Sequence, residues 1–332
     1  MTKTDTLSPA PTTTPAKPRG RSHLSQLFWQ GGTVVALIVL IGFFTMARPD
    51  VFLSFGNIRN ILEQIAILTI IAVGQTVVMV VGDFDLSVGT NATLSGATAA
   101  ALMIGGTPVP LAILAAVCVG ILVGAVNGFL VAFLQLSAFV ATLATMTTVG
   151  GLAFLVTSGT TLYGMPEDFF WIGQGRPLGI PMPIFFAVAV AVILGMALRF
   201  TTLGRRWYAV GGNAEVARLS GVNVRWTRFL AFVVAGLASA IGGIILVSRL
   251  GSASSASGNN YMMLAVAAVF LGMTILKSGQ ANVGGTLVGV GIIGVMSNGL
   301  NIVGVNTYIQ QVLTGLIIIA AVTLSALKAR KL

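Results

Sequence analysis

Charge is scarce in this sequence. Only 8% of its 332 residues are Asp, Glu, Lys or Arg and 56% are apolar, and the mean hydropathy is +0.97, whereas soluble domains carry roughly 25% charged residues. A water-soluble globular chain is thereby excluded, and an all-helical polytopic membrane protein is indicated. Cysteine is represented by Cys118 alone and histidine by His23 alone. No disulfide can form within the chain, and no His/Cys set is available to hold a metal. Cys118 lies in an apolar run and reads as a small packing residue. The nucleotide-binding pattern G-x-x-x-x-G-K-[ST] is absent, so any ATP-derived energy must come from another chain. The apolar runs also lack the activated nucleophile, histidine or metal cluster of a membrane-embedded enzyme, and no catalytic residue is assigned.

Acid is rarer still than base, with 8 Asp and Glu against 18 Lys and Arg, a formal charge of +10. The basic residues are spread over short segments between apolar runs and are not interleaved with aromatics, which argues against nucleic acid. Residues 1–30 form a Thr-, Pro- and Lys-rich tail that cannot bury a core and is expected to be disordered and cytoplasmic. The remainder, 31–332, reads as one transmembrane domain. Hydropathy predicts ten spans: Thr33 to Ala47, Ile65 to Val81, Val88 to Ile104, Val109 to Phe133, Phe139 to Thr157, Pro183 to Leu198, Phe229 to Val247, Met262 to Leu276, Val283 to Asn298 and Ile309 to Leu327. Between the first two, Arg48 to Gln64 has apolar residues at helical spacing and reads as an amphipathic helix lying at the outer interface. A secretory signal peptide is the rival for the first run, but no small-x-small cleavage site follows it. Ten crossings from a cytoplasmic tail put both termini inside, and with them 14 of the 18 basic residues, leaving Arg48, Arg59, Arg176 and Arg249 outside. That bias is the one positive-inside topology demands.

Glycine, with 41 residues, is abundant and recurs in small-xxx-small patterns at Gly120 to Gly128 and Gly285 to Gly294. Such spacing lets helix backbones approach closely in lipid. Of two outer segments, Ser158 to Pro181 mixes polar and aromatic residues suited to the membrane interface or to a docked protein, and Ser248 to Met262 has only one charge and many hydroxyls.

Two polar stretches interrupt the apolar pattern. The first is GQTVVMVVGDFDLSVGTNATLSG, Gly74 to Gly96. Ionisable residues so close to apolar helices are costly, and they face a cavity, a partner or the interface. Asp85 can cap the next helix through its carboxylate or contact a substrate. Gln75, Asp85, Ser87, Asn91, Thr93 and Asn127 supply amide, hydroxyl and carboxylate groups, either for a translocation path or for a structural turn and helix packing. The second is Arg199 to Arg228, with six arginines against the single acid Glu215. Within this loop (199–228) Gly211 and Gly212 are expected to break a helix, Asn213 to cap, and Ala214 to Leu219 to form a short helix ending at Gly221. Its length and local order favour a docking surface over a mere topology marker.

The run GRRWYAVGGNAEVARLSGVNV, Gly204 to Val224, resembles the cytoplasmic loop of ribose, xylose and autoinducer-2 class ABC importer permeases, roughly LGRxxYAxGGNxxAARxSGI. The Gly74 stretch is similar to the same family's GQTxVxxxGGxDLSVG, with Gln75, Gly82, Asp85, Leu86, Ser87 and Gly89 matching and Asp83 standing where the family has glycine. Further on, the family's LGGTSLxGGxG is written LGMTILKSGQ, Leu271 to Gln280. The resemblance implies a permease subunit that imports a monosaccharide or sugar-like solute across the bacterial cytoplasmic (inner) membrane. It implies no cofactor on this chain, with ATP and Mg on partner ABC ATPase subunits, an extracytoplasmic sugar-binding protein, and assembly as a homodimer or with a related permease. By the same resemblance Gly204, Arg205, Gly211, Gly212, Asn213, Ala217, Arg218, Ser220 and Gly221 are positions that couple to the ATPase. The alternative from another class is an ion-coupled secondary transporter or channel for a small polar solute, which tends to place carboxylates or histidines mid-span. Apart from Asp83 and Asp85 there are none.

Overall fold

The computed structural model describes residues 23–273, 279–306, 308–316, 319 and 323, with residues 23–33 as backbone only. The residues before His23, Lys277 and the C-terminal KARKL, on which parts of the topology count rest, lie outside the described residues. Among the described residues every regular element is helical, apart from one isolated antiparallel bridge between Leu162 and Ala253. The helices in chain order are α1 (His23–Ala47), α2 (Pro49–Phe52), α3 (Phe55–Val80), α4 (Val88–Ile104), α5 (Val109–Ala132), α6 (Ala138–Thr157) and α7 (Glu167–Gln174). They continue with α8 (Met182–Phe200), α9 (Thr202–Gly212), α10 (Ala214–Leu219), α11 (Val224–Leu250), α12 (Asn259–Met273) and α13 (Val283–Val303).

Six of these, α3, α5, α6, α8, α11 and α13, are long and apolar enough to cross a membrane. The α4 helix has 17 residues, a rise of about 26 Å, and the apolar parts of α1 and α12 are also shorter. Residues 308–316 are helical and begin the last expected span. Two boundaries differ from expectation. The α1 helix starts at His23, inside the expected tail, because Leu24, Leu27 and Phe28 extend the helical spacing of the apolar run upstream. Arg48 to Gln64 is not a separate interfacial helix. Apart from the short α2 it is the first part of α3, a continuous 26-residue helix capped by Ser54. Two of its polar residues find partners: Glu63 accepts from Arg249 Nε at 2.9 Å, and Asn57 and Asn298 exchange amide hydrogen bonds at 3.0 Å in both directions.

Two helices form the centre. The α3 helix is buried along most of its length and packs against α8, α11, α12 and α13, while α11 packs against α3, α4 and α5. Glycine makes the tightest of these approaches. A Cβ on Gly236 would overlap the Gly120 carbonyl and crowd Gly124, and one on Gly289 would overlap the Ala268 carbonyl, so the glycine spacing read from the sequence does set backbone-to-backbone contact.

Polar contacts sort the connections into two ends. At one end Asp83 pairs with Arg228, Trp207 Nε1 donates to the Thr227 carbonyl at 2.9 Å, and Tyr208 donates to the Ala281 carbonyl at 3.0 Å. At the other end Ser248 Oγ accepts from Gly173 N and donates to the Phe169 carbonyl, and residues 158–175 and 248–258 are joined by the Leu162–Ala253 bridge. The two outer segments are thus packed on each other.

Candidate functional sites

The turn between α3 and α4 is made possible by Gly82, whose φ of +87° is in the left-handed region. It carries two carboxylates with opposite surroundings. Asp83 is held by the Arg228 guanidinium in a two-point ion pair that includes Nε to Oδ2 at 2.7 Å, a fork geometry matched to a carboxylate. Asp85 is 1% exposed and has neutral partners. Its Oδ1 accepts from Ser87 N at 2.8 Å, Ser87 Oγ at 2.7 Å and Asn127 Nδ2 at 3.2 Å. Burial pushes the Asp85 carboxyl above its usual range, and the hydrogen bonds from Ser87 and Asn127 oppose that shift. Bonding to Ser87 N makes an Asx-type turn one residue ahead of the helix. Ser87 is the N-cap of α4, and its side chain makes no cap bond.

Gln75 and Asn127 complete the surroundings of Asp85. The Gln75 carboxamide, turned as its neighbours require, donates to the Asp85 carbonyl at 3.2 Å and accepts from Asp85 N at 3.3 Å. Asn127 Nδ2 also donates to Ser87 Oγ at 2.8 Å, leaving Asn127 Oδ1 buried without a partner. Asn91 lies one turn further into α4 and donates to the Gly120 carbonyl at 3.1 Å, at the point where α5 meets α11. Thr93 donates to the Gly89 carbonyl and accepts from Gly258 N at 2.9 Å. Gln75, Asp85, Ser87 and Asn127 therefore form one cluster, with Asn91 and Thr93 beyond it. All six are buried, and the three main cavities of the described residues are lined by others. In the single chain their polar groups face protein.

The second motif folds as two helices and not as an open loop. Thr201 Oγ1 accepts from Gly204 N at 3.1 Å and caps α9, and a Cβ on Gly204 would overlap the Ala197 and Leu198 carbonyls. Gly204 is therefore the residue that lets α9 fold back on α8. Trp207 is 1% exposed and anchors α9 in the bundle. Burial pushes the Tyr208 phenol up, which keeps it protonated as the donor to Ala281. Gly211 and Gly212 do not break the helix, which continues to Gly212. Gly211 is there because a Cβ would run into the Val80 carbonyl at the end of α3.

The α10 helix spans Ala214–Leu219, as the sequence predicts, and Asn213 Oδ1 caps it by accepting from Glu215 N and Val216 N, each at 3.0 Å. It closes on Gly221, whose φ is +83°, with Gly221 N bonded to the Arg218 carbonyl and Val222 N to the Ala217 carbonyl. Ser220 Oγ bonds back to the Val216 carbonyl at 2.9 Å. Ala217 is 4% exposed, in the same apolar cluster as Trp207 and Val210. Its small size seats α10 on the bundle and does not clear space for a partner. Arg218 is exposed, and its guanidinium is engaged by Glu215 through Nε to Oε2 at 3.0 Å. That hydrogen bond holds the Glu215 carboxyl below its usual range. Arg205 is exposed and reaches the Phe200 carbonyl at 3.4 Å.

What α10 offers to solvent is apolar, with Val216 57% and Leu219 75% exposed. Sequence reading passed over these two residues, although their i, i+3 spacing is the signal of an unpartnered helix face. It also passed over Arg228 as the partner of Asp83. Beside α10 lies a groove of about 630 Å³ between the Asp83–Phe84 turn, Ser137–Phe139 and Arg225.

Residues 57–322 match the family described as "Branched-chain amino acid transport system / permease component". The chain belongs to this permease family. The permease is 41% identical over 292 residues to the ribose import permease protein RbsC of Haemophilus influenzae, covering 87% of this chain and 90% of that one. It is 40% identical over 311 residues to RbsC of Bacillus subtilis, covering 93% and 96%. It is also 35% identical over 303 residues to the D-allose transport system permease protein AlsC of Escherichia coli, covering 91% and 93%. It is the non-catalytic membrane subunit of an ABC importer, with ATP hydrolysis on separate subunits.

Proposed function

We propose that the permease carries a monosaccharide inward across the bacterial cytoplasmic membrane, driven by two ATPase subunits docked at the α10 end and fed by a binding protein at the opposite end. The sugar class is supported by relatives named for ribose, allose and arabinose. The observation that carries the docking assignment is α10 itself. It is a capped, glycine-closed helix seated through Ala217 that holds Val216 and Leu219 in solvent. Apolar side chains held rigidly outside a membrane domain are the kind of surface a protein partner covers.

Charge supports the orientation. Among the described residues the α10 end carries Arg199, Arg205, Arg206, Arg218, Arg225 and Arg228 against Asp83, Asp85 and Glu215. The other end carries Arg48, Arg59, Arg176 and Arg249 against Asp50, Glu63, Glu167 and Asp168. The first end is the cytoplasmic one by the positive-inside rule, and ten spans then return both termini to the cytoplasm. The permease works as a pair, with itself or with a relative, and solute passes between the two copies as ATPase closure moves the paired α10 knobs.

The test is uptake of labelled ribose, allose and arabinose by cells expressing the permease with its ATPase and binding protein, together with reporter fusions at Gly211 and near Gln174. Uptake of at least one pentose or hexose that stops when the ATPase is inactivated is expected, with Gly211 inside and Gln174 outside. Uptake that follows a proton or sodium gradient without the ATPase, or a cytoplasmic reporter at Gln174, would overturn the reading.

A further inference from the structure

Among the described residues outside the two motifs, Arg48, Arg59 and Arg176 make no ion pair, and of these Arg59 is the one with a buried guanidinium nitrogen that has no hydrogen-bond partner. Arg59 lies in the second turn of α3, its Nε buried and without a hydrogen-bond partner among the described residues. The nearest carboxylate on its own helix, Glu63, is engaged by Arg249. A cation near a helix N-terminus is also disfavoured by the helix dipole, which there favours an anion. Along the same helix runs an apolar groove of about 280 Å³, walled by Leu62, Ala66 and Thr69 of α3, by Ala187 and Ala191 of α8 and by Leu287 of α13. The Thr69 hydroxyl is turned back to the Ile65 carbonyl at 2.7 Å, so the wall offers no free polar group there. Of the six long apolar helices α8 buries least, 17% of its most apolar window, so this groove opens sideways toward lipid.

The two features align. Arg59, Leu62, Ala66 and Thr69 follow helical spacing and share one face of α3. Helical side chains lean toward the N-terminus, so Arg59, one turn before Leu62, stands beyond the α3 N-terminal end of the groove and is not part of its lining. From Arg59 to Thr69 the helix rises about 15 Å, half of a hydrocarbon core about 30 Å thick. We propose that this groove holds one acyl chain of an anionic phospholipid whose phosphate pairs with Arg59, making a specific lipid site in the leaflet at the Pro49–Asn57 end of the permease. A guanidinium suits this role because its planar donors match phosphate oxygens. The occupant is a lipid and not a free phosphate because an anion alone would leave the apolar wall uncovered.

The experiment is native mass spectrometry of the intact permease released from detergent after addition of phosphatidylglycerol or phosphatidylcholine with identical acyl chains. Wild-type protein is expected to retain phosphatidylglycerol in preference. R59Q should lower that retention about tenfold and abolish the preference, while R59K keeps most of it. V188W, which puts a ring over the groove from an exposed position, should reduce retention of both lipids. Equal retention of the two lipids by the wild type would overturn the proposal without recourse to any variant, as would an unchanged preference in R59Q. So would disulfide capture of a second permease by V188C in membranes, since it would show the groove to be an interface between copies.

Discussion

The Asp85 cluster and the α10 knob come from the two polar stretches of an apolar chain, and the fold uses them in opposite ways. At Asp85 the polar groups turn inward and are consumed by Gln75, Ser87 and Asn127. At α10 the polar groups are consumed in capping, by Asn213, and in the Glu215–Arg218 pair, and the apolar side chains Val216 and Leu219 are left outside. A polar motif in a membrane protein is thus not by itself a sign of a wet pathway. Where its hydrogen bonds are internal, as around Asp85 with Asn127 Oδ1 the one cluster atom left over, it fixes helices to each other.

The comparison breaks most visibly at Asp85. Asp85→Ala would leave the Ser87 N–H and O–H buried without their acceptor and take one of the two acceptors from Asn127 Nδ2, a cost of about 3 kcal/mol or more. Membrane abundance and the unfolding midpoint in detergent should both fall. Preserved stability with lost uptake would instead make Asp85 a solute contact. Next in size is Ala217→Trp, which forces a large ring into the seat of α10 and should cost about 2 kcal/mol through overpacking, seen as a lower melting temperature. A stable Ala217→Trp protein that fails only in ATPase recovery would return Ala217 to the docking surface. Leu219→Asp should do the converse. Abundance and melting temperature stay at wild-type values, while ATPase co-purification and uptake drop about tenfold, as expected when an apolar anchor is lost. The smallest effect belongs to Glu215. Its carboxyl is held below its usual range by Arg218, so its contribution to α10 is present above the unfolded pKa and is lost as pH falls through the folded value. The protection factors of the amides at residues 216–219, which correct for the intrinsic pH dependence of exchange, should fall on acidification in wild type and be indifferent to pH in Glu215→Gln.

Much of this was legible in the sequence because it is local. Hydropathy located the long helices, the residues Asn213 to Gly221 spelled out a capped and closed helix, and glycine spacing marked where α5 meets α11. Pairings across the chain were not legible. Arg48 to Gln64 looks interfacial until Glu63 is seen beside Arg249, 186 residues away in sequence. Asp83 looks like an intruding charge until Arg228 supplies its partner 145 residues later. Burial direction was equally hidden. A small residue such as Ala217 on a short helix fits either face, and only the position of Trp207 and Val210 decides that it points inward.

The bonds between α3 and α13 carry a consequence for how the protein is made. Thr76 meets Thr286 at 2.8 Å across one end of the pair, and Asn57 and Asn298 lock at the other, contacts separated by 210 and 241 residues of chain. The central helix is among the first to leave the ribosome, yet these cross-helix partners are among the last, and before them Asn57 has the Phe52 carbonyl and Thr76 the Ala72 carbonyl. Until α13 is inserted, Asn57 and Thr76 keep only these local bonds, and α3 lacks the lock that fixes it to its neighbour. A chain stopped before Val283 lacks both partners, so an unfinished permease differs from a complete one at these defined side chains.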